Sequence, residues 1–147
     1  MNPETVRQWI AKAEHDWKIA LDELATADPV SDMVCFHLQQ CCEKYLKAFL
    51  ISHGREHPRT HRLEVLIHLC TKIDPEFQIL RAWESDQLSR YATVLRYGEE
   101  FYMPSQQETQ QAIAVTEKVR QFVSQKLQQN VTENPDSQPS PDPPLKD

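Results

Sequence analysis

Hydrophobic positions recur every three to four residues along most of this chain, the period of an α-helix that turns one face toward a core. Between Glu4 and about Ala25, the residues Val6, Ile10, Ala13, Trp17, Leu21 and Leu24 share such a face. From Ser31 to about Ser52, Val34, Leu38, Cys41, Tyr45 and Phe49 form one line, and Cys35, Cys42 and Leu46 widen it. A helix apolar over so broad a sector belongs in the middle of a bundle. A short third helix is expected to begin near Thr60 and to use Leu63, Leu66, Ile67 and Cys70. A fourth is expected from Pro75 to Tyr97 through Phe77, Leu80, Trp83, Leu88, Tyr91, Val94 and Leu95, bent near Ser85-Asp86. A fifth carries Ala112, Val115, Val119, Phe122 and Leu127. No strand-like alternation competes with these patterns.

The punctuation agrees with five segments. Proline is tolerated at a helix start and resisted inside, and Pro3, Pro29, Pro58, Pro75 and Pro104 are spaced as starts. Gly54 and Gly98 stand where two helices should end. Ser105 and Glu108 form a capping box, in which serine and glutamate satisfy the free amides of a helix start. The fold class is therefore all-α, an up-and-down bundle of about five helices. From Gln128 onward, prolines and small polar residues replace apolar ones, so that segment cannot offset its own ordering entropy and is expected to be a disordered tail. Residues 1–128 are assigned to the bundle and 129–147 to the Pro-rich acidic tail.

The 147 residues carry a formal net charge of −6, which argues against a broad surface for duplex DNA, because such a surface must be strongly basic. The segment from Gln128 contains Glu133, Asp136, Asp142, Asp147 and Lys146, so half of the net charge lies there and the helical body is nearer neutrality. No apolar run approaches the roughly 20 residues that span a bilayer, and the start MNPETVRQW lacks a secretory pattern. A cytoplasmic location without membrane contact is expected. Cys35, Cys41, Cys42 and Cys70 lack the paired spacing of a zinc site. Adjacent Cys41 and Cys42 point about 100° apart on a helix, which suits neither chelation nor a mutual bond. All four are expected to be buried thiols.

The chemistry concentrates in GREHPRTHRLEVL, residues 54–66. His53, His57 and His61 are spaced to stack on one helix face as metal ligands, but Gly54 and Pro58 interrupt that helix, so no metal site and no cofactor is expected. Arg55 and His61 supply a cation and a proton-transfer group, the ingredients for cleaving an RNA phosphodiester. The structural alternative, favoured here, has Thr60 capping the third helix, the arginines solvated and the His61 ring bonded to a neighbour.

Beyond these patterns, QQCCEKYLKAFLISHG, then PRTHRLEVLIHL, and later LSRYATVLRYGEEF resemble the HEPN domain family in order and spacing, over roughly residues 5 to 127. Glu43-Lys44 with Lys47-Ala48, Thr60-His61-x-Leu63 and Arg96-Tyr97 carry the likeness. The resemblance implies a small helical bundle that generally dimerises, is encoded in prokaryotes and often lies beside a minimal nucleotidyltransferase. Many members of the wider superfamily look like metal-independent ribonucleases that join an arginine to a histidine four to six residues on, and these include toxins of toxin–antitoxin pairs. The matching arginine here is Arg96, and Tyr97, Gly98, Glu99, Glu100, Phe101, Tyr102 and Met103 follow it without a histidine. That departure removes the expected proton-transfer group and makes the chain similar to the branch with nucleotidyltransferase partners.

On this resemblance the leading expectation is a dimeric binding module, not itself an enzyme, that joins a minimal nucleotidyltransferase and holds nucleotide or RNA through Arg96, Tyr97, Arg90 and Lys47. Guanidinium groups grip phosphate and tyrosine rings stack on bases. The alternatives are a metal-independent endoribonuclease toxin using His61 with Arg55 or Arg96, and a purely structural helical adaptor.

Overall fold

The computed structural model describes the backbone of residues 3–92 and 102–133, with side chains as far as Gln129. The α-helices among them are α1 (Pro3–Leu24), α2 (Ser31–Ser52), α3 (Leu63–Ile73), α4 (Ile79–Ala82) and α5 (Gln106–Glu133), joined by 3-10 turns at Pro75–Gln78 and Ser85–Ser89. No strand occurs among the described residues.

The breadth of the apolar face on α2 places it at the centre. Val34, Leu38, Cys41, Cys42, Tyr45, Leu46, Phe49 and Leu50 are buried there, along with Gln39, Glu43 and Lys47. Helix α1 runs antiparallel to it: Glu14 meets Tyr45, and Asp16 meets Lys44 and His37. Helix α5 runs parallel to it. The Ser31 hydroxyl donates to the Pro104 carbonyl at 2.8 Å, and Cys35 and Cys42 lie 3.9 and 3.7 Å from the hydroxyls of Thr109 and Thr116. Both thiol–hydroxyl pairs advance by the same seven residues, about two turns on each helix, so the register is maintained. Arg120 closes α5 onto α1 through a bidentate pair with Glu14, Nε at 2.9 Å and Nη2 at 2.7 Å, while its guanidinium lies 4.3 Å from the Trp17 ring.

The route from α2 to α3 follows from Gly54. At φ +71° it occupies the left-handed region, which ends the helix. The Gly54 amide donates to the Ile51 carbonyl at 2.9 Å and the Arg55 amide to the Leu50 carbonyl at 3.0 Å, the two bonds of a Schellman cap. The chain then doubles back along the helix it has just left. His53 packs on Phe49, His57 on Trp9 of α1, and His61 reaches Glu43 and Gln39. Helix α3 consequently climbs α2 in the same sense, with Cys70 reaching the Leu46 carbonyl and Leu63, Leu66, Ile67 and Cys70 fully buried.

Three expected boundaries shift. Helix α3 begins at Leu63 instead of Thr60, because Thr60 Oγ1 accepts from the Arg62 amide at 3.1 Å and holds an extra turn ahead of the helix. The helix expected from Pro75, bent near Ser85-Asp86, is divided into short turns: Asp74 caps the first, and Glu84, at φ 59°, breaks the chain one residue before the expected bend. Residues 90–92 are again helical. The boundary drawn at 128 falls inside α5, which continues to Glu133. Val94, Leu95, Gly98 and residues 134–147 lie outside the described residues.

Candidate functional site

The three histidines of the linker do not converge. Each ring has its own neighbour, Phe49, Trp9 or Glu43, and among the described residues no group of three His, Cys, Asp or Glu side chains could hold a metal ion. The Arg55 backbone and the His61 ring are anchored at different turns of α2. The Arg55 amide is bonded to the carbonyl of Leu50 and the His61 ring to Glu43, seven residues away along α2, which is about 10 Å of helix.

Glu43 is the centre of a buried network. One carboxylate oxygen accepts from Lys47 Nζ at 2.8 Å, and the other lies 3.1 Å from His61 Nδ1 and accepts from Gln39 Nε2 at 3.2 Å. Gln39 also donates to the His61 carbonyl at 3.0 Å, so the linker is clamped by both backbone and ring. Burial acts to raise the Glu43 carboxyl, but the bonds from Lys47 and His61 outweigh it and hold the group below the usual carboxylate range. The Glu43–Lys47 pair has the i, i+4 spacing common on helix surfaces, yet it is buried. The side chains are only 5% and 7% exposed, and Lys47 Nζ faces the Trp9 ring at 5.7 Å. Lys47 is thus engaged with Glu43 and Trp9 in the interior, whereas the sequence placed it among the phosphate-binding candidates.

A cleft of about 430 Å³ opens between the Ser85–Ser89 turn and the first turns of α5. Trp83, Leu88, Ala112 and Val115 give it an apolar wall, and Gln87, Gln107, Gln111, Glu84, Glu108 and Arg90 give it polar groups. The lining is thus mostly polar, with an apolar patch along one wall. Arg90 is exposed, and its guanidinium is fixed by bonds to the carbonyl and side-chain oxygens of Gln87, at 3.1 and 2.7 Å. Further N–H donors remain on it.

Glu108 anchors the opposite side. Its amide donates to Ser105 Oγ at 3.1 Å, as the capping box requires. Its carboxylate accepts from the hydroxyls of Tyr91 and Tyr102, one on each oxygen. Burial acts to raise this carboxyl, and the bonds from Tyr102 and Tyr91, with the Arg90 charge, more than offset it, so the group stays ionised. Burial and the adjacent carboxylate in turn push the Tyr91 hydroxyl far above its ordinary value.

Of the sequence candidates, Arg90 lies in this cleft, Lys47 does not line it, and Arg96 and Tyr97 fall outside the described residues. Sequence reading placed Glu108 only as a cap and Trp83 only as core. Their shared place in the cleft wall was hidden because they are 25 residues apart and come together through packing alone. The one local signal is Glu84, a residue other than glycine in the left-handed region at the cleft wall, where backbone strain tends to accompany function.

No curated protein sequence matches this chain. Among solved structures, the crystal structure of ST0689, an archaeal HEPN homologue, matches with a TM-score of 0.60 at 23% identity, covering 83% of this chain and 97% of that one. At that identity the likeness speaks for the fold. The HEPN domain family matches residues 6–127 of the sequence, nearly the whole described bundle, and the chain belongs to the HEPN domain family.

Proposed function

We propose that this HEPN domain is a binding module that works as a homodimer, holds a nucleotide or an RNA phosphate in the cleft beside Arg90, and joins a minimal nucleotidyltransferase. The observation that carries this reading is the exposed Arg90 guanidinium, pre-positioned by Gln87 on the rim of a cleft large enough for a mononucleotide. The carboxylates of Glu84 and Glu108 repel phosphate from the interior, so the phosphate sits at the Arg90 rim and the base enters toward Trp83.

Calorimetric titration of the full chain with nucleoside monophosphates tests the ligand. Arg90→Met should weaken binding about fivefold to tenfold, the effect of losing about 1 to 1.4 kcal/mol at an exposed charged hydrogen bond. Light scattering and co-purification with the product of an adjacent reading frame test the other two elements. A monomer that binds no nucleotide would end the proposal.

A second reading, a metal-independent ribonuclease, draws on the orientation of His61. With Nδ1 directed at Glu43 and the side chain 46% exposed, Nε2 is presented for proton transfer. RNA cleavage in the presence of a chelator, abolished in His61→Ala, would favour it over the binding module.

A further inference from the structure

We propose that the end of the bundle where the α1–α2 turn meets the entry to α5 is a docking surface for another protein, one that presents an amphipathic helix with lysines or arginines flanking its apolar face. The assignment is independent of what the cleft binds.

Six large hydrophobic side chains are exposed among the described residues, and five of them gather here. Ile19, Val30, Met33, Tyr102 and Met103 are each 39% to 47% exposed, and only Ile79 lies elsewhere. Hydrogen bonds bring the five together. The Glu23 carboxylate accepts from the Val30 amide at 3.0 Å, which ties the turn of α1 that follows Ile19 to the start of α2. Met33 comes one turn after Val30, its amide bonded to the Val30 carbonyl at 3.1 Å. The Ser31 hydroxyl donates to the Pro104 carbonyl at 2.8 Å, and that sets Tyr102 and Met103 beside the same turn. Apolar residues scattered singly are normal on a surface, whereas a gathered set marks an interaction site. Two of the five are methionines, whose unbranched side chains adapt to the shape of a partner.

Charge decides which partner. Residues 19–43 and 102–117 contain no lysine or arginine. Acids stand among the apolar residues instead: Glu23 is bonded to Val30, Asp32 to the Met33 amide and Glu108 to Tyr102, and Asp28 is exposed two residues before Val30. A second copy of this chain would meet the face through a two-fold contact, which sets each carboxylate against its own kind. The homodimer proposed above therefore uses a different face, and this one fits a basic partner. A helix with apolar residues at three- and four-residue spacing lays them across Val30, Met33 and Met103, while cations at its edges pair with the acids.

The test is a nuclear magnetic resonance titration of the isotope-labelled full chain with a synthetic helix of about 18 residues, leucines along one face and lysines on the other. A glutamate counterpart and a scrambled lysine peptide of the same composition are the controls. Resonances of residues 19–33 and 102–108 should shift with the amphipathic lysine peptide and with neither control. The double variant Met33→Ser/Met103→Ser, checked for folding by circular dichroism, should weaken binding about tenfold by fluorescence anisotropy. Asp28→Asn/Asp32→Asn should weaken it about threefold and flatten its salt dependence. No binding, equal binding of a control, shifts confined to the acidic residues 134–147, or a serine variant that binds as well as the parent would each overturn the proposal. Light scattering covers the remaining occupant: a dimer that the serine variant converts to monomer assigns the face to a second copy and also overturns it.

Discussion

Replacing Glu43 by glutamine keeps the shape of the side chain and removes its charge, leaving the Lys47 ammonium buried without a counter-ion. Breaking a buried pair from one side costs about 3 to 5 kcal/mol. The Trp9 ring, 5.7 Å from Lys47 Nζ, attracts the cation in parent and variant alike and so cancels in the difference. The expected loss is therefore at least about 3 kcal/mol, or a fall in Tm of about 10 °C for a domain of this size. A surface pair at the same spacing is worth about 0.3 kcal/mol, ten times less, so the experiment separates the two descriptions. Urea denaturation followed by circular dichroism at pH 7 measures the difference. The double variant Glu43→Gln/Lys47→Met removes both charges and should recover to within about 1 kcal/mol of the parent chain. A single variant that loses less than about 1 kcal/mol, or a double variant no more stable than the single, would refute the reasoning.

The pH dependence follows from the carboxylates. Glu14, Glu43, Glu64 and Glu108 all lie below their ordinary value when folded, so their contribution is complete above about pH 4.3 and is lost as pH falls through the lower folded values. The urea midpoint should drop steeply below pH 4, after a smaller decline below about pH 6.5 from His53, whose ring is held below its ordinary value by burial and by Arg55; an unchanged midpoint at pH 3.5 would contradict the assignment. Gly54→Ala should cost about 1 kcal/mol from backbone strain alone, since nothing lies within 4 Å of the added carbon; a chemical melt showing no loss would deny the left-handed cap. The thiols should be inert in the native state. Burial raises Cys35 to about 11 and Cys42 to about 12 and pushes Cys41 and Cys70 higher still, so a thiol reagent at pH 8 should label all four only after unfolding. Rapid native labelling of any of them would place that helix face outside the core.

The sequence by itself determined the helices that depend on local pattern. The limits of α2 were legible from Ser31 to Ser52, the buried face of α3 was read residue for residue, and the Ser105–Glu108 cap was visible as a four-residue motif. Helical period, capping chemistry and a glycine at a helix end act within a few residues, so one chain displays them directly. The HEPN resemblance was legible for the same reason, as an ordered set of short motifs.

Tertiary structure decided what those motifs touch. The spacing of Glu43 and Lys47 is the same on a wet face as in the core, and only the packing of Trp9 and the returning linker settles which it is. The bend expected near Ser85 was sound in position, yet its division into turns depended on a left-handed Glu84 that no propensity favours. The cleft has the same origin. Trp83, Arg90 and Glu108 are separated by an interval of chain that periodicity cannot fold, and they meet because α5 runs parallel to α2 and carries its first turn back to the Ser85–Ser89 segment. Local pattern specifies which face of a helix is apolar, whereas the partner of that face is a long-range choice set by the combined packing of all the helices.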